Sequence, residues 1–421
     1  MNALQYDVVV IGGGPAGLAA AISAKNNGAT VAIIERDFRL GGILEQCIHT
    51  GFGLKYFGEE LAGPQYAHRF VRQVDKLGID VHLNTMVLSI DRDPLSVYAV
   101  SKTGPVTFDA KTVILAMGCR ERTRPAISLP GTRPAGIFTA GTAQRFVNIQ
   151  NFLVGKEVVI LGSGDIGMIM ARRMTLEGAT VKAVVEIMPY LAGLTRNKVQ
   201  CLDDFGIPLY LGHTITSVRG FPRLTGVTIA KADDKMQAVP GTEFDLDCDT
   251  LLLSVGLIPE NELSRAAGVG LDAITGGPVV DHMMQTDVPG IFACGNVVHV
   301  NDLVDNVSRE SELAGKYAAL LARGEIARDG GDIEVVPGEN VRYVVPQHID
   351  PKNTNGKVKL YFRVRNPDRY MRLCVKLDGR EVFGKRRKIV NPGEIEEVEL
   401  DTGAIAGAVG GSLDVSCVKD A

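Results

Sequence analysis

Two glycine-rich loops carry the residues of this sequence whose types and spacing fit a definite chemistry. The first reads GGGPAG, residues 12–17, and lies between the β-branched run DVVVI and an alanine-rich stretch. In this setting Gly12 permits a tight strand-to-helix turn, Gly14 lets the backbone approach a pyrophosphate, and Gly17 lets the helix pack on the strand. The free N–H groups at the start of the helix would bind the phosphates, so the loop predicts a dinucleotide site.

An acidic residue completes each loop. Glu35 ends the apolar run that follows the first helix, where its carboxylate can accept hydrogen bonds from ribose hydroxyls. The second loop, GSGDIG at residues 162–167, has Glu186 at the equivalent place. A carboxylate there accepts from a free 2′-hydroxyl and repels a 2′-phosphate, and no arginine follows it in the next three residues. The pattern therefore favours NAD over NADP as the ligand of the second loop.

An internal repeat supplies the elements that must position these loops. Residues Asp7–Glu35 and Glu157–Glu186 share one order of features: a β-branched run, a glycine loop, a helical stretch, a glycine stop and a second apolar strand that ends in Glu. Each repeat is therefore a βαβ unit. Two such units predict two parallel-sheet domains rather than one large sheet.

The remaining periodicity indicates further elements. Strands are predicted at Thr112–Ala116, Thr250–Val255 and within Pro289–Gly295, and a helix at Asn306–Arg323; a polar linker is predicted at Arg328–Glu339. After it the period changes to two, in KVKLYFRVR and MRLCVKL, and turn signals such as Asn-Pro-Gly follow. This pattern predicts an antiparallel β module of about 80 residues, built as a small sandwich.

The β module carries a concentration of positive charge. Residues 352–388 contain 13 Lys and Arg but only three acids, in a chain whose net charge is −4. Lys and Arg are ordinary on the solvated faces and edges of strands, which is one interpretation. A docking face for an acidic partner is the second. Nucleic acid is disfavoured, because no aromatic stacking platform accompanies the charge and the whole chain is acidic.

Composition limits the class of protein. The 421 residues suffice for two or three domains, and 45% of them are apolar. The seven cysteines are scattered without the CxxC spacing of metal or dithiol centres, so no metal site is predicted and reduced thiols in the cytoplasm are expected. The start MNALQYDVVVIGG has neither the basic region nor the cleavage site of a signal peptide, and no apolar run is long enough for a transmembrane helix.

The order of these motifs resembles the pyridine nucleotide-disulfide oxidoreductase superfamily, flavoproteins in which an NAD(P) domain interrupts an FAD domain. The resemblance covers Tyr6–Glu325 and depends on the two loops with their acids and on VILAMG, LLLSVGLIPE and TDVPGIFACGN, at residues 113–118, 251–260 and 286–296. It implies an α/β fold class: two Rossmann-like domains plus the C-terminal all-β module. The implied FAD domain comprises residues 1–122 and 256–328, the NAD domain residues 123–255, and the β module residues 340–421.

The resemblance also implies which residues bind which cofactor. The implied FAD-binding residues are Gly12, Gly14, Pro15, Ala16, Gly17, Glu35, Arg36, Gly42, Val87, Gly118, Gly295 and Asn296. The implied NAD-binding residues are Gly162, Gly164, Asp165, Ile166, Gly167 and Glu186.

Two departures from the superfamily pattern narrow the function. Asn296 stands where an Asp is usual, so its amide can still bond a cofactor oxygen but without negative charge. The dithiol is missing as well: the segments that carry CxxxxC or CxxC in disulfide reductases read GGILEQCIHTGFGL and GIFTAGTAQRFVN here. One thiol cannot close an intramolecular disulfide, so an ordinary dithiol reductase is not expected.

A narrower resemblance rests on GGILEQCIHTGFGL, AMGCRERTR, ACGNVVHVNDLVD and the β module. These segments look like FAD/NAD-binding subunits that accompany bacterial anaerobic glycerol-3-phosphate dehydrogenase-like flavoproteins, and that are related to subunits of opine oxidases and hydrogen cyanide synthase. The resemblance implies electron transfer between NAD and a partner dehydrogenase or a small electron-transfer subunit, through this chain's flavin. The basic β module is then the candidate docking face.

Cys47 and His49 are the candidate catalytic residues, because both lie in the segment that borders the flavin in the superfamily. One interpretation is a thiolate that cycles through sulfenic acid, with the histidine lowering its pKa. The other is a buried thiol that packs against the flavin, with the histidine bonded to backbone or ribityl. His299, Asp302 and Asp305 follow Asn296 and are interpreted either as proton-relay or partner-binding groups or as residues at the start of a helix.

Three functions are consistent with these patterns. The favoured one is an FAD-dependent NAD(H) oxidoreductase that exchanges electrons with a partner and uses no dithiol. The first alternative is a self-contained NADH oxidase, or a peroxide or disulfide reductase that uses Cys47. The second is a flavin-bearing scaffold whose β module assembles a complex while other chains carry out the redox chemistry.

Overall fold

The fold is taken from a computed structural model, which describes residues 3–327, 333–354, 356–405, 408 and 410–420. The chain forms two compact units, one of residues 1–119 with 259–421 and one of residues 120–258. The division expected from the sequence, at residues 122 and 256, lies close to the same positions. Which cofactor each unit binds stays a prediction.

The first unit begins with a mixed sheet that carries the first glycine loop. Its elements are β1 (Leu4–Ile11), α1 (Pro15–Asn26), β2 (Val31–Ile34), β3 (Thr50–Phe52), β4 (Leu61–Ala62), α2 (Gly63–Lys76), β5 (Asp80–His82), β6 (Met86–Arg92), β7 (Leu95–Ser101) and β8 (Gly104–Leu115). The strand order is β5-β2-β1-β8-β7-β6. The strands from β5 to β8 are parallel, whereas β6 and β7 are an antiparallel meander.

The second unit repeats the parallel arrangement. Its elements are β9 (Cys119–Glu121), β10 (Ile137–Thr139), α3 (Ala140–Asn148), β11 (Glu157–Leu161), α4 (Asp165–Leu176), β12 (Thr180–Glu186), α5 (Thr195–Cys201), β13 (Leu209–Leu211), β14 (His213–Arg219), β15 (Gly226–Lys231), β16 (Phe244–Asp247), β17 (Thr250–Leu253) and β18 (Leu257–Pro259). The parallel sheet has the order β10-β17-β11-β12-β13, and β14, β15 and β16 form an antiparallel sheet beside it.

The chain then returns to the first unit. The remaining elements are α6 (Glu262–Ala266), β19 (Ile291–Ala293), α7 (Val304–Ala322), β20 (Ile333–Pro337), β21 (Val341–Val345), β22 (His348–Ile349), β23 (Lys357–Val364), β24 (Asp368–Leu377), β25 (Arg380–Val390), β26 (Glu396–Asp401) and β27 (Ser412–Lys419). β19 adds to the first sheet beside β8 in parallel. Helix α7 packs closely on α1, because Gly315 has no side chain to collide with the backbone of Ala20.

The C-terminal β module comprises β20 to β27. Its sheets have the orders β22-β20-β27-β24-β25 and β21-β23-β26, and inward side chains of both, such as Leu360, Phe362 and Leu373, share one buried core. The expected fold class, α/β with two Rossmann-like domains and a C-terminal β sandwich, is confirmed.

The predicted linker at 328–339 is wrong in its second half. Residues 328–332 lie outside the described residues, but β20 occupies 333–337 and pairs in parallel with β27. Ile333 and Val335 alternate with exposed or half-buried neighbours and are buried in the module core. The polar residues around this short alternation obscured it in the sequence.

Candidate functional site

The first glycine loop lies at the carboxyl end of β1 and is shaped by its glycines. Gly12 has a φ of +109°, and a Cβ there would overlap the carbonyl oxygen of Ala116, just after the neighbouring strand β8. A Cβ on Gly17 would overlap the carbonyl oxygen of Gly12, so helix α1 approaches the turn as closely as backbone allows. Pro15 starts the helix at its first turn, where its missing N–H costs nothing.

Gly14 differs from these two glycines, because it borders open space. A Cβ built on it would meet only the Cα of Gly42, at 3.9 Å. Gly42 belongs to a segment that crosses the loop, and the amide of Gly41 donates to the carbonyl of Gly13 at 2.9 Å. The open side of Gly14 at the N-terminus of α1 is the cradle that a pyrophosphate requires.

Glu35 closes the loop from the end of β2. One carboxylate oxygen accepts the Gly13 amide and the other accepts the Asp37 amide, each at 2.7 Å, and only 7% of the residue is exposed. The Glu35 carbonyl accepts the amide of Thr85, which links the loop to the strand that carries Val87. Val87 itself is buried in the core of the unit, and the side chain of Arg36 is exposed.

The last sequence motif reaches the same place from the other end of the chain. Gly295 has a φ of +71°, and a Cβ there would lie 2.7 Å from that of Ala16 in α1. The Asn296 amide donates to the sulfur of Cys119 at 3.6 Å, and its carbonyl oxygen accepts the Asn301 amide at 3.0 Å. The structure thus brings residues 12–17, 35, 42 and 295–296 together, as the sequence predicted.

The first turn of α7 and the residues before it hold polar atoms that the protein itself leaves without partners. Among the described residues, one side-chain oxygen each of Asn301, Asp305 and Asn306 is buried and has no hydrogen-bond partner. Such orphaned atoms are costly unless a ligand or water meets them. Together with the open side of Gly14 and the helix N-terminus, they fit a polar dinucleotide such as FAD.

The second glycine loop is built in the same way in the second unit. Gly162 has a φ of +100° and lies against the Ser254 carbonyl, and the Ser254 hydroxyl accepts the Gly167 amide at 3.1 Å. Glu186 accepts the amide and the hydroxyl of Ser163 at 2.7 and 2.8 Å. Its other oxygen accepts the Met188 amide at 2.9 Å. The loop therefore keeps a fixed shape through its own acid, like the first.

Asp165 and Ile166 have structural roles that the sequence pattern did not indicate. One oxygen of Asp165 accepts the Leu194 amide at 2.9 Å and the Asn197 side chain at 2.6 Å, which ties the segment after β12 to the start of α4. Ile166 packs against the core of the unit. A Cβ on Gly164 would lie 3.2 Å from the Ser254 hydroxyl, so a larger side chain would crowd the loop.

Cys47 and His49 lie between the 3-10 turn at Gly42–Gln46 and β3. The Cys47 thiol donates to the Ile43 carbonyl at 3.3 Å, and burial raises its pKa to about 12. A ring nitrogen of His49 lies 3.0 Å from the Thr50 carbonyl oxygen, and the ring packs against Phe52 with 5.0 Å between centroids. In this environment the thiol is protonated at neutral pH, so no thiolate nucleophile is preformed.

The three acidic and basic residues after Asn296 have distinct partners. His299 bonds Glu310 at 2.9 Å, and both side chains are almost completely buried. Asp302 pairs with Arg363 of the β module. Asp305 accepts the amide of Lys55, and burial raises the pKa of its carboxyl. The sequence located these residues near the predicted flavin turn but could not assign the partners, which lie up to 250 residues away.

A family model described as pyridine nucleotide-disulphide oxidoreductase matches residues 6–314. The chain belongs to this family. Membership makes it an FAD-dependent pyridine nucleotide oxidoreductase, as the sequence analysis expected. The match ends before the C-terminal β module.

Two curated relatives have similar sequences. One of the opine oxidase subunits of Agrobacterium tumefaciens (strain Ach5) is 27% identical over 76% of this chain and 66% of its own length. Hydrogen cyanide synthase subunit HcnB of Pseudomonas protegens is 28% identical over 77% of this chain and 72% of its own. The chain therefore spans just under two thirds of the first relative. Both relatives are named as subunits, the kind of protein that the narrower resemblance implied.

Among solved structures, T. acidophilum thioredoxin reductase superposes with a TM-score of 0.62 at 25% identity. The match covers 77% of this chain and 99% of that chain. The described residues of this chain contain no group of three His, Cys, Asp or Glu side chains that could hold a metal ion. None of the helices in the described part combines the length and hydropathy of a membrane span.

Proposed function

We propose that this oxidoreductase transfers electrons between NADH and a partner protein through FAD bound at the first glycine loop, without a redox-active dithiol. The observation that carries the proposal is the pair of loops, each rigidly held by its own buried glutamate, in a chain that lacks both dithiol positions of the family. FAD would supply the hydride chemistry with nicotinamide, and the chain supplies binding, orientation and phosphate neutralisation.

The assignment of FAD to the first loop is supported by the polar surroundings of that loop. The unpartnered oxygens of Asn301, Asp305 and Asn306 lie at the start of α7, whose preceding turn contacts Ala16. The second loop has a simpler environment, made by Ser163, Ser254 and Glu186. The nicotinamide nucleotide is therefore assigned to the second loop.

Preference for NADH over NADPH is supported by Glu186. The carboxylate is 4% exposed and is anchored by three hydrogen bonds, so it cannot move away from a 2′-phosphate without losing them. A fixed negative charge at the ribose disfavours the phosphorylated coenzyme.

Electron transfer to a partner is supported by two independent features. The similar curated proteins bear subunit names, and this chain has no second cysteine at the family's dithiol spacing to receive electrons from the flavin. The alternative in which Cys47 cycles as a thiolate is not favoured by its environment, because burial raises the pKa of the thiol to about 12.

The docking face of the partner is proposed on the β24–β25 hairpin. Six of the 13 basic side chains of residues 352–388 pair with acids of the same unit: Lys357, Lys359, Arg363, Arg372, Arg386 and Arg387. Within the described residues, five exposed cations of the hairpin form no ion pair: Arg369, Lys376, Arg380, Lys385 and Lys388. β25 is also an edge strand, and unpaired cations there suit an acidic surface.

The test is an anaerobic reduction followed by three reoxidations. NADH should bleach the flavin of purified protein, and an artificial dye should reoxidise it rapidly. Peroxide should reoxidise it slowly, whereas co-purified partner with its substrate should restore full turnover. A chain that turns over peroxide alone would support the single-thiol alternative, and a flavin that NADH does not bleach would support the scaffold.

A further inference from the structure

The segment that joins the turn at Gly295 to helix α7, residues 295–303, is held from outside by the C-terminal β module. Arg363 of β23 donates from one terminal nitrogen to the Val300 carbonyl at 3.1 Å and to the Asp302 carboxylate. The other Asp302 oxygen accepts the backbone amide of Ile395 at 2.7 Å. The module thus fixes two successive points of this segment, here called the turn segment.

Arg363 is positioned by partners of its own on the module side. Its Nε donates to the Tyr343 hydroxyl at 3.2 Å, and its other terminal nitrogen donates to the Pro392 carbonyl at 3.1 Å. The side chains of Arg363 and Asp302 are only 14% and 16% exposed. Removal of one member of such a pair leaves a buried charge and unpaired acceptors, so the pair constrains the segment strongly.

The turn segment contacts the first glycine loop at its other end. Gly295 lies against Ala16 of α1, and the Asn296 carbonyl oxygen accepts the Asn301 amide at 3.0 Å. Asn301 lies between the two residues that Arg363 holds. The orientation of the Asn296 side chain therefore depends on a segment whose position the β module determines.

A second contact of the module with the turn segment involves His299. Its ring lies 6.0 Å from the rings of Tyr343 and Tyr361, which come from β21 and β23. Its Nε2 bonds Glu310 of α7 at 2.9 Å. Strands of the module and helix α7 thus flank the segment on different sides, and the family model, which ends at residue 314, includes none of these strands.

We propose that the C-terminal β module is an integral part of the flavin site and that Arg363 is the positioning residue through which it acts. Arg363 holds Val300 and Asp302, these hold Asn301, and Asn301 orients Asn296 toward the cofactor. This inference rests on the proposed assignment of FAD to the first glycine loop. It assigns to the module a role in cofactor binding that is separate from partner docking.

The test compares Arg363→Gln and Arg363→Lys with Arg372→Gln, measured on the full-length apoprotein. Arg372 is the matched control, because it pairs with Glu381 in the same module and bonds no residue of the turn segment. The dissociation constant for FAD is measured by fluorescence titration, and the bound flavin's absorption spectrum and midpoint potential are recorded. Thermal unfolding of each apoprotein reports the purely structural effect.

Arg363→Gln should weaken FAD binding at least tenfold and change the flavin spectrum and potential, with partial recovery in Arg363→Lys. Arg372→Gln should stay within twofold of the unmodified protein. If Arg363→Gln does not fold, Asp302→Asn, which keeps the shape of the side chain, should change FAD affinity in the same direction. Unchanged FAD affinity and spectrum in folded variants would overturn the inference, as would an equal loss in Arg372→Gln. Failure of the unmodified protein to bind FAD would instead overturn the proposed function.

Discussion

The carboxylate of Glu186 accepts hydrogen bonds from both the backbone amide and the hydroxyl of Ser163, at 2.7 and 2.8 Å. The acid that should read the ribose of the coenzyme is thus also the acid that shapes the glycine loop. Glu35 has the same relationship with Gly13 in the first unit. Substitution of either glutamate should therefore affect both the affinity and the selectivity of its loop.

Coenzyme selectivity is the first prediction. The unmodified protein should use NADH with a higher kcat/KM than NADPH, since a hydrogen bond to a charged group contributes about 1.5–3 kcal/mol. Glu186→Ala should lower kcat/KM for NADH about tenfold or more and narrow the gap between the coenzymes. Glu177→Ala, an exposed glutamate paired with Arg173 in the same unit, is the control. Equal efficiency with both coenzymes in the unmodified protein would contradict the role of Glu186.

The two glycine loops should separate by substitution. Gly14→Val places a side chain into the open space before α1, where only Gly42 lies within 4 Å, so the protein should fold but remain colourless. Gly164→Val should leave the protein yellow and unreactive toward NADH. Absorbance at the flavin band and anaerobic NADH reduction measure both effects. Two yellow, NADH-reactive variants would show that the assignment of the loops is wrong.

Much of each loop could be predicted from the sequence, because local requirements fix it. Gly12 and Gly162 need positive φ, and the glutamates follow at the ends of short strands, so spacing alone located them. The partners that complete the site come from distant parts of the chain. The Asn296–Cys119 and Arg363–Asp302 contacts join residues 177 and 61 positions apart, and only tertiary packing brings them together. Strand β20 was missed because its short alternation is flanked by polar residues.

Cys47 should be dispensable for flavin reduction and slow to react with electrophiles. Burial raises the pKa of its thiol from 9.0 to about 12, so the thiolate fraction near neutral pH is about a thousandfold smaller than for an ordinary thiol. Alkylation by iodoacetamide, followed by peptide mapping, should be slow at pH 8 and accelerate as the pH rises toward 12. Cys47→Ser should reduce with NADH at an unchanged rate. Rapid alkylation at pH 7, or loss of peroxide turnover in the serine variant, would favour the single-thiol alternative.

The basic hairpin should govern the encounter with the partner. Charge reversal of Lys385 and Lys388, which are exposed and form no ion pair within the described residues, should slow electron transfer to the partner about tenfold at low salt. The rate with an artificial dye should not change, because the dye needs no docking face. Rates that depend on neither these residues nor ionic strength would place the partner elsewhere.

The number of electrons that the protein accepts tests the central claim most directly. A flavoprotein with an active dithiol takes up two electrons in its flavin and two more in its disulfide, whereas flavin alone takes two. Anaerobic titration with NADH, followed by flavin absorbance, should therefore end at about one NADH per FAD and leave the number of titratable thiols unchanged. An end point near two NADH per FAD, with two new thiols, would contradict an account in which electrons pass from NADH to a partner through the flavin alone.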